Sequence, residues 1–266
     1  GRKELTDQLV DQLDQQPLVG VIGPSGSGKS SLVFAGAVAR LRERAGWVVA
    51  AMRPATGVSP LAALASALLP ALEPEMTESQ RLREVRTLEA VLAEVADRAR
   101  QRVGADRLLL IVDQFEELYG QDQTTTWEFI DLLVQATEAQ PRRGRPQLVT
   151  VLTVRADFLG HTLEHPGLAR ALQGRVLLIG RMTRAQLRQT IDGPVTDQVT
   201  FEAGLVERIL EDVGTEPGNL PLLEFALTLL WERQTDRMLT HAAYESLGGV
   251  DGALARYAEQ VYEDEL

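Results

Sequence analysis

The sequence predicts an α/β fold: a five-stranded parallel sheet flanked by helices, followed by an all-helical lid. Three observations predict it. Up to Gly180, apolar stretches of strand length alternate with stretches of helical period. Leu108–Asp113 is continuously apolar and ends in an acid, as a central parallel strand buried on both faces should be. Beyond Gly180 the strand-like stretches stop and only the helical period continues.

Each element has its own signal. Leu5–Gln15 carries apolar residues at 5, 9, 10 and 13, the spacing of one helix face. Pro17–Ile22 reads as a short buried strand, Ser30–Arg44 as the helix after it and Trp47–Met52 as a second strand. Pro60–Leu72 and Thr77–Val103 read as helices, with Pro70 and Pro74 breaking between them. Leu108–Asp113 is the third strand, Thr124–Ala139 a helix, Gln147–Val154 the fourth strand, Leu168–Leu172 a short helix and Val176–Ile179 the fifth strand. Right-handed crossovers are expected between them. Arg184–Thr190, Ala203–Val213, Leu220–Arg233, Thr240–Leu247 and Gly252–Glu265 read as helices. The expected division is a core over 1–180, a lid over 181–248 and a last segment over 249–266. No internal repeat is visible.

Composition removes several kinds of chemistry. The 266 residues are 44% hydrophobic, enough for a buried core. With no cysteine there is no disulfide, thiolate nucleophile or cysteine zinc site. Of the three histidines, His161 and His165 would share a helix face only if the helix ran through Pro166, which opposes it. No metal role is expected of them. A net charge of −11 opposes non-specific attraction to nucleic acid, and the basic stretch Arg142–Arg145 reads as a solvated loop. No apolar run is long enough to cross a membrane, and no signal peptide is visible. Lysine occurs only at Lys3 and Lys29.

That second lysine lies in the main motif. Gly23-Pro24-Ser25-Gly26-Ser27-Gly28-Lys29-Ser30 matches G-x-x-x-x-G-K-[ST] in full, after a predicted strand and before a predicted helix. In such a P-loop NTPase the glycines let backbone amides turn onto phosphates, and the helix N-terminus faces them. Lys29 is expected on the β- and γ-phosphates, the Ser30 hydroxyl on Mg²⁺ and Ser31 beside the α-phosphate. Arginine is a poor substitute at Lys29, because a planar guanidinium is bulkier among phosphate oxygens. A hydrolase nucleophile elbow around Ser25 fails, because residue 27 is serine and not glycine.

Asp113 supplies the second half of the site, one carboxylate at the tip of an apolar strand, where ligands of parallel α/β sheets bind. Glu116 and Glu117 follow, placed either to activate an attacking water or to favour a helix N-terminus. Thr153-Val154-Arg155 closes the fourth strand, so Arg155 is placed to hold the γ-phosphate; a surface salt bridge is the plainer alternative. Gly218-Asn219-Leu220-Pro221 opens a helix with proline in its first turn, which the position by itself explains.

These residues resemble the STAND class of signal-transducing P-loop NTPases, especially bacterial members related to NACHT proteins and often fused to WD-repeat propellers. Gly1-Arg2-Lys3-Glu4 is similar to the tail of that class's apolar-x-G-R-E motif, whose Gly-Arg region contacts nucleotide. Asp113-Gln114-Phe115-Glu116-Glu117 and Thr153–Phe158 resemble its second nucleotide motif and its first sensor. Gly218–Pro221 resembles its lid motif, whose proline packs on adenine; a role for Pro221 rests on this resemblance alone.

The chain departs from AAA+ motors in having Gln114 where a glutamate usually follows the strand aspartate, and in having no arginine at the start of the lid helix. Arg170 and Arg175 lie roughly where such motors carry a finger for a neighbour's nucleotide. Gly252–Leu266 resembles the first helix of the class's winged-helix domain. The expectation is therefore a piece of a longer protein, whose effector and sensor regions (a WD-repeat propeller, for example) lie outside it.

The resemblance implies a switch using ATP, ADP and Mg²⁺. ADP would hold it closed through Arg2, the loop amides and Pro221; ATP would bring a γ-phosphate to Lys29 and Arg155 and permit homo-oligomer assembly. Slow hydrolysis would reset it, in the cytoplasm where ATP is. The alternatives are an AAA+-like motor or loader and a P-loop small-molecule kinase.

Overall fold

Leu18–Gly23 forms β1, whose six residues are all buried, and the rest of the sheet is assembled around it. The computed structural model describes residues 2–55, 57–72, 92–140, 144–193, 199–214, 219–250 and 252–255. The first part of the expected helix Thr77–Val103 and most of Gly252–Glu265 lie outside the described residues.

Lys3–Gln15 is α1. After β1 the chain becomes helical at Lys29–Ser31, widens to a π-helix over Leu32–Val38 and returns to α over Ala39–Glu43; these three make one helix, α2. Then follow β2 (Trp47–Met52), α3 (Pro60–Leu72), α4 (Leu92–Arg102) and β3 (Arg107–Val112). A 3₁₀ segment at Phe115–Gly120 leads to α5 (Gln123–Glu138), β4 (Leu148–Arg155), α6 (Leu159–Glu164), α7 (Pro166–Leu172) and β5 (Val176–Leu178). All five expected strands are present, with ends shifted by no more than a residue. The helix α6, the 3₁₀ turns and the π segment were not legible in the apolar period.

The five strands are parallel in the order β2-β3-β4-β1-β5. Consecutive residues of a strand point to opposite faces, and the chain exploits this throughout. Leu18 and Ile22 of β1, Leu108, Leu110 and Val112 of β3, and Leu148, Leu152 and Val154 of β4 pack under α3, α4, α5 and α7. Val19, Val21, Leu109, Ile111, Val149 and Val151 pack on the other face, under α1 and α2. Two close approaches fix these layers. A Cβ on Gly20 would lie 2.8 Å from Leu172 Cδ2, and one on Gly36 would lie 2.9 Å from Thr6 Oγ1. Glycine lets α7 sit on β1 and lets α1 sit on α2.

The contacts divide the chain into two units. One comprises residues 3–24 and 29–179; the other comprises residues 1–2, 25–28 and 180–266. In the second, α8 (Arg184–Asp192), α9 (Leu205–Val213), α10 (Asn219–Glu232) and α11 (His241–Leu247) enclose a core that includes Leu187, Ile209, Leu223, Leu230 and Tyr244. Thr183 caps α8 by a reciprocal box with Gln186. The expectation of an all-helical lid needs one correction. Thr200–Phe201 (β6) and Met238–Leu239 (β7) pair as a short parallel ladder. Two-residue strands are too short to produce a visible alternation, which is why the sequence did not reveal them.

Candidate functional site

The glycine loop turns between β1 and α2 on two left-handed residues, Gly26 (φ 65°) and Gly28 (φ 81°), a conformation that any Cβ would strain. Lys29 is the first residue of α2 and is 8% exposed. Its ammonium donates to Gly23 O (3.0 Å) and Pro24 O (2.9 Å), bracing the start of the loop. Burial lowers the Lys29 pKa, and the charge of Glu116, then those of Asp113 and Asp157, act in the opposite sense. Pro24, Ser25 and Ser31 are exposed and Ser27 is buried, its hydroxyl without a hydrogen-bond partner.

Strand register places the second half of the site. Val112 pairs with Leu152, and Gly23 with Arg155, so β3, β4 and β1 end side by side. Asp113 lies two residues beyond Ile111 and Thr153 two beyond Val151, so both fall on the face that carries α2. There Asp113 Oδ1 accepts hydrogen bonds from Ser30 Oγ (2.8 Å) and Thr153 Oγ1 (2.6 Å). The Thr153 hydroxyl also accepts from Gln114 N–H at 2.8 Å. Gln114 is left-handed (φ 54°, ψ 51°), turning the chain sharply from β3 into the 3₁₀ segment.

The two glutamates separate. Glu116 is buried and accepts from the Arg155 backbone N–H at 3.1 Å, which ties it to the tip of β4. Glu117 is forked by Arg53, with Nε at 3.0 Å and Nη2 at 2.5 Å, and that bond raises the Arg53 pKa. The Arg155 side chain forks in turn onto Asp157 (3.1 and 2.6 Å), over the Phe158 ring at 5.3 Å. This bond holds the Asp157 carboxyl below its usual range. Phe158 stacks on Tyr119, whose hydroxyl donates to Thr162.

Ser30, Lys29, Asp113, Glu116 and Arg155 are thus brought to one edge of the sheet, while Glu117 is engaged by Arg53. Arg2 and Pro221 belong to the second unit: Arg2 is buried and donates to Gly180 O at 2.6 Å, with its pKa lowered by burial, and Pro221 is exposed in the first turn of α10. His165 caps α7 by accepting from Leu168 N–H, so the helix does break before Pro166. Among the described residues no group of three or more His, Cys, Asp or Glu could hold a metal ion. Arg170 is exposed, and Arg175 Nη1 donates to Ala171 O.

Three residues here carry contacts to which the sequence assigned no role: Arg53, and Thr153 and Asp157 within the segment Thr153–Phe158. Thr153 had a signal, a hydroxyl one strand-repeat beyond Val151. Arg53 and Asp157 had none, because their partners depend on where side chains meet.

A Mg²⁺ ion fits the donor set that does form. A hydroxyl and a carboxylate 2.8 Å apart are hard oxygen donors, and Mg²⁺ usually binds through one or two protein oxygens, with phosphates and water completing the shell.

No curated protein matches the chain, but solved structures do. The ORC2 protein of Aeropyrum pernix in its ADP form matches with a TM-score of 0.60 and 17% identity, over 97% of this chain and 67% of that one. The ORC1 protein of the same organism in complex with DNA matches with a TM-score of 0.60 and 18% identity, over 96% and 65%. The Walker-type ATPase paby2304 of Pyrococcus abyssi matches with a TM-score of 0.56 and 19% identity, over 100% and 74%. The chain spans 65% of the ORC2 protein in its ADPNP–ADP complexes. At such identities the likeness is one of fold. Among the described residues no helix is long and apolar enough to cross a membrane. The Novel STAND NTPase 1 profile matches residues 1–266, and with the glycine loop, Asp113 and the parallel sheet in place, the chain belongs to that family of P-loop NTPases.

Proposed function

We propose that this domain binds ATP and ADP with Mg²⁺ and works as a slowly hydrolysing molecular switch that governs assembly in bacterial signalling or defence. The observation that carries the reading is the junction at Asp113. One carboxylate oxygen accepts from Ser30 of the loop helix and from Thr153 of the sensor strand, so the groups around the phosphates are mechanically joined. Ser30 and Asp113 would hold Mg²⁺, which supplies charge neutralisation between the phosphates. Lys29 would exchange its two loop carbonyls for phosphate oxygens, a favourable trade because bonds to charged acceptors are about twice as strong as neutral ones.

Glu116 is the better candidate for general base, since it sits in the charge field of Lys29 while Glu117 is engaged by Arg53. Its partner, the Arg155 N–H, orients the carboxylate. Arg155 would report the γ-phosphate by leaving Asp157. That surface pair is worth about 0.2–1 kcal/mol, so a phosphate can compete for it. Arg2, the 23–31 loop and Pro221 are the proposed contacts to the rest of the nucleotide, on the family resemblance. Effector and sensor regions beyond this domain would read the outcome.

The test is the nucleotide content of protein purified without added nucleotide, denatured and resolved by ion exchange, with Lys29→Ala alongside. The switch reading expects near-stoichiometric ADP in the wild type and none in Lys29→Ala. An empty wild-type site that turns over added ATP rapidly without a partner would overturn it and favour a motor.

A further inference from the structure

We infer that a second ligand site, for a small phosphate-bearing anion, lies at the opposite edge of the sheet from the glycine loop. Here the N-terminal ends of β2 and β3 meet, with Trp47 paired to Arg107. The six residues of β3 separate this edge from Asp113 by about 20 Å. A cleft of about 460 Å³ opens there, lined by Arg44, Arg100, Arg107 and Arg145, with Asp14, Asp106 and Trp47 among them. Four arginines against two aspartates leave a lining charge of +2 in a chain whose net charge is −11.

Part of this cluster is already satisfied, and the remainder is what points to a ligand. Arg107 is fixed by Asp14 (2.7 Å), Leu13 O (2.7 Å) and Pro146 O (2.8 Å), with its guanidinium 4.0 Å above the Trp47 ring. Asp14 must also serve Arg44 at 3.0 Å, so one carboxylate is shared by two cations. Arg145 ends the basic stretch that the sequence marks as a solvated loop. It is exposed, forms no hydrogen bond or ion pair among the described residues, and acts on Arg107 by like-charge repulsion. Arg100 contacts Asp97 at 3.3 Å and Ala105 O at 3.2 Å, while its Nε is buried with no hydrogen-bond partner. A buried donor without an acceptor is costly, and adjacent guanidiniums short of counter-charge repel one another. A tetrahedral phosphate dianion supplies the missing counter-charge, since its three terminal oxygens and second negative charge serve more guanidiniums at once than one carboxylate can. The volume suits a ligand up to the size of a mononucleotide.

The probe is pyrophosphate, titrated calorimetrically into Lys29→Ala protein and into wild-type protein loaded with ADP and Mg²⁺ and then freed of unbound nucleotide and metal by gel filtration. Either form keeps the glycine loop out of the measurement by a different route, so failure of the nucleotide reading does not mimic failure here. The expected result is one saturable site in both forms. Arg145→Ala and Arg44→Ala, both on exposed side chains, should each weaken it about tenfold, and succinate should bind at least tenfold less tightly. Absence of saturable binding would overturn the inference. So would binding that ignores both arginine substitutions, or succinate bound as tightly as pyrophosphate.

Discussion

Replacing Thr153 by valine removes one hydroxyl and leaves the side-chain shape nearly unchanged. That hydroxyl is fully buried and holds two partners, donating to Asp113 Oδ1 at 2.6 Å and accepting from Gln114 N–H at 2.8 Å. The bond to the carboxylate is charge-assisted and contributes about 1.5–3 kcal/mol, and leaving the Gln114 N–H unpaired costs about 1–3 kcal/mol. Local relaxation recovers part of each, so the expected loss is about 2–4 kcal/mol, which a domain with about 5–15 kcal/mol of stability survives. The functional effect should be selective. Asp113 retains Ser30 but loses its second brace, so affinity for ADP with Mg²⁺ should fall about tenfold, or about 1.4 kcal/mol. Affinity for ADP in EDTA should hardly move. Urea unfolding and calorimetric titration of both nucleotide forms make the measurement, with Thr153→Ser as the variant that keeps the hydroxyl. If valine costs less than about 0.5 kcal/mol, the range of a neutral surface change, and leaves the Mg²⁺ dependence intact, the junction at Asp113 is not what couples the strand tips.

Three further outcomes follow from the same geometry. Asp157→Asn should leave stability within about 0.5 kcal/mol, because its pair with Arg155 is exposed. It should raise the preference for ATP over ADP by freeing Arg155, which competitive titration against a fluorescent ADP would read; an unchanged preference removes Arg155 from the γ-phosphate. Gly36→Ala should destabilise by about 1–3 kcal/mol through its clash with Thr6. In a Thr6→Ala background the same change should become neutral or stabilising, as alanine is the better helix former by about 1 kcal/mol; additive effects in the double-mutant cycle would mean that α1 does not pack as described. Burial pushes the Tyr119 hydroxyl up to about 12, from an ordinary value of 10.0. Below pH 10 both states keep its proton, whereas above it only the unfolded chain ionises. Its contribution to stability should therefore be lost between about pH 10 and 12, and Tyr119→Phe should flatten that part of a stability profile.

How much of this was legible depends on how local each signal is. Leu108–Val112 could be read as a fully buried strand because burial on both faces requires every residue to be apolar. The glycine loop could be read because positive φ at Gly26 and Gly28 and a compact ammonium at Lys29 leave few alternatives. Alternation along β3 and β4 even carried the information that Asp113 and Thr153 share a face, once both were known to be neighbouring strands. The strand order was not visible, and it is what inserts β4 between β1 and β3 and so brings Thr153 and Arg155 between the two nucleotide motifs. The short pair β6–β7 was missed because two residues carry no period, and α6 because its only buried residue is Thr162.

The roles of Glu116 and Glu117 separate for a similar reason. As sequence they are adjacent acids after a strand, and nothing in composition distinguishes them. The left-handed Gln114 then starts a 3₁₀ turn that sends Glu116 inward to the Arg155 N–H and Glu117 outward to Arg53. The basic stretch ending at Arg145 read as solvated loop; only the meeting of β2 and β3 at their N-terminal ends sets Arg145 beside Arg44, Arg100 and Arg107. By itself the sequence determined the α/β class, the five strands, the phosphate loop and the acid at Asp113, because each is written in the period or chemistry of a few consecutive residues. Tertiary structure decided which distant side chains meet, since hydrogen bonds and charge pairs between remote strands follow from strand order and register and leave no mark along the chain.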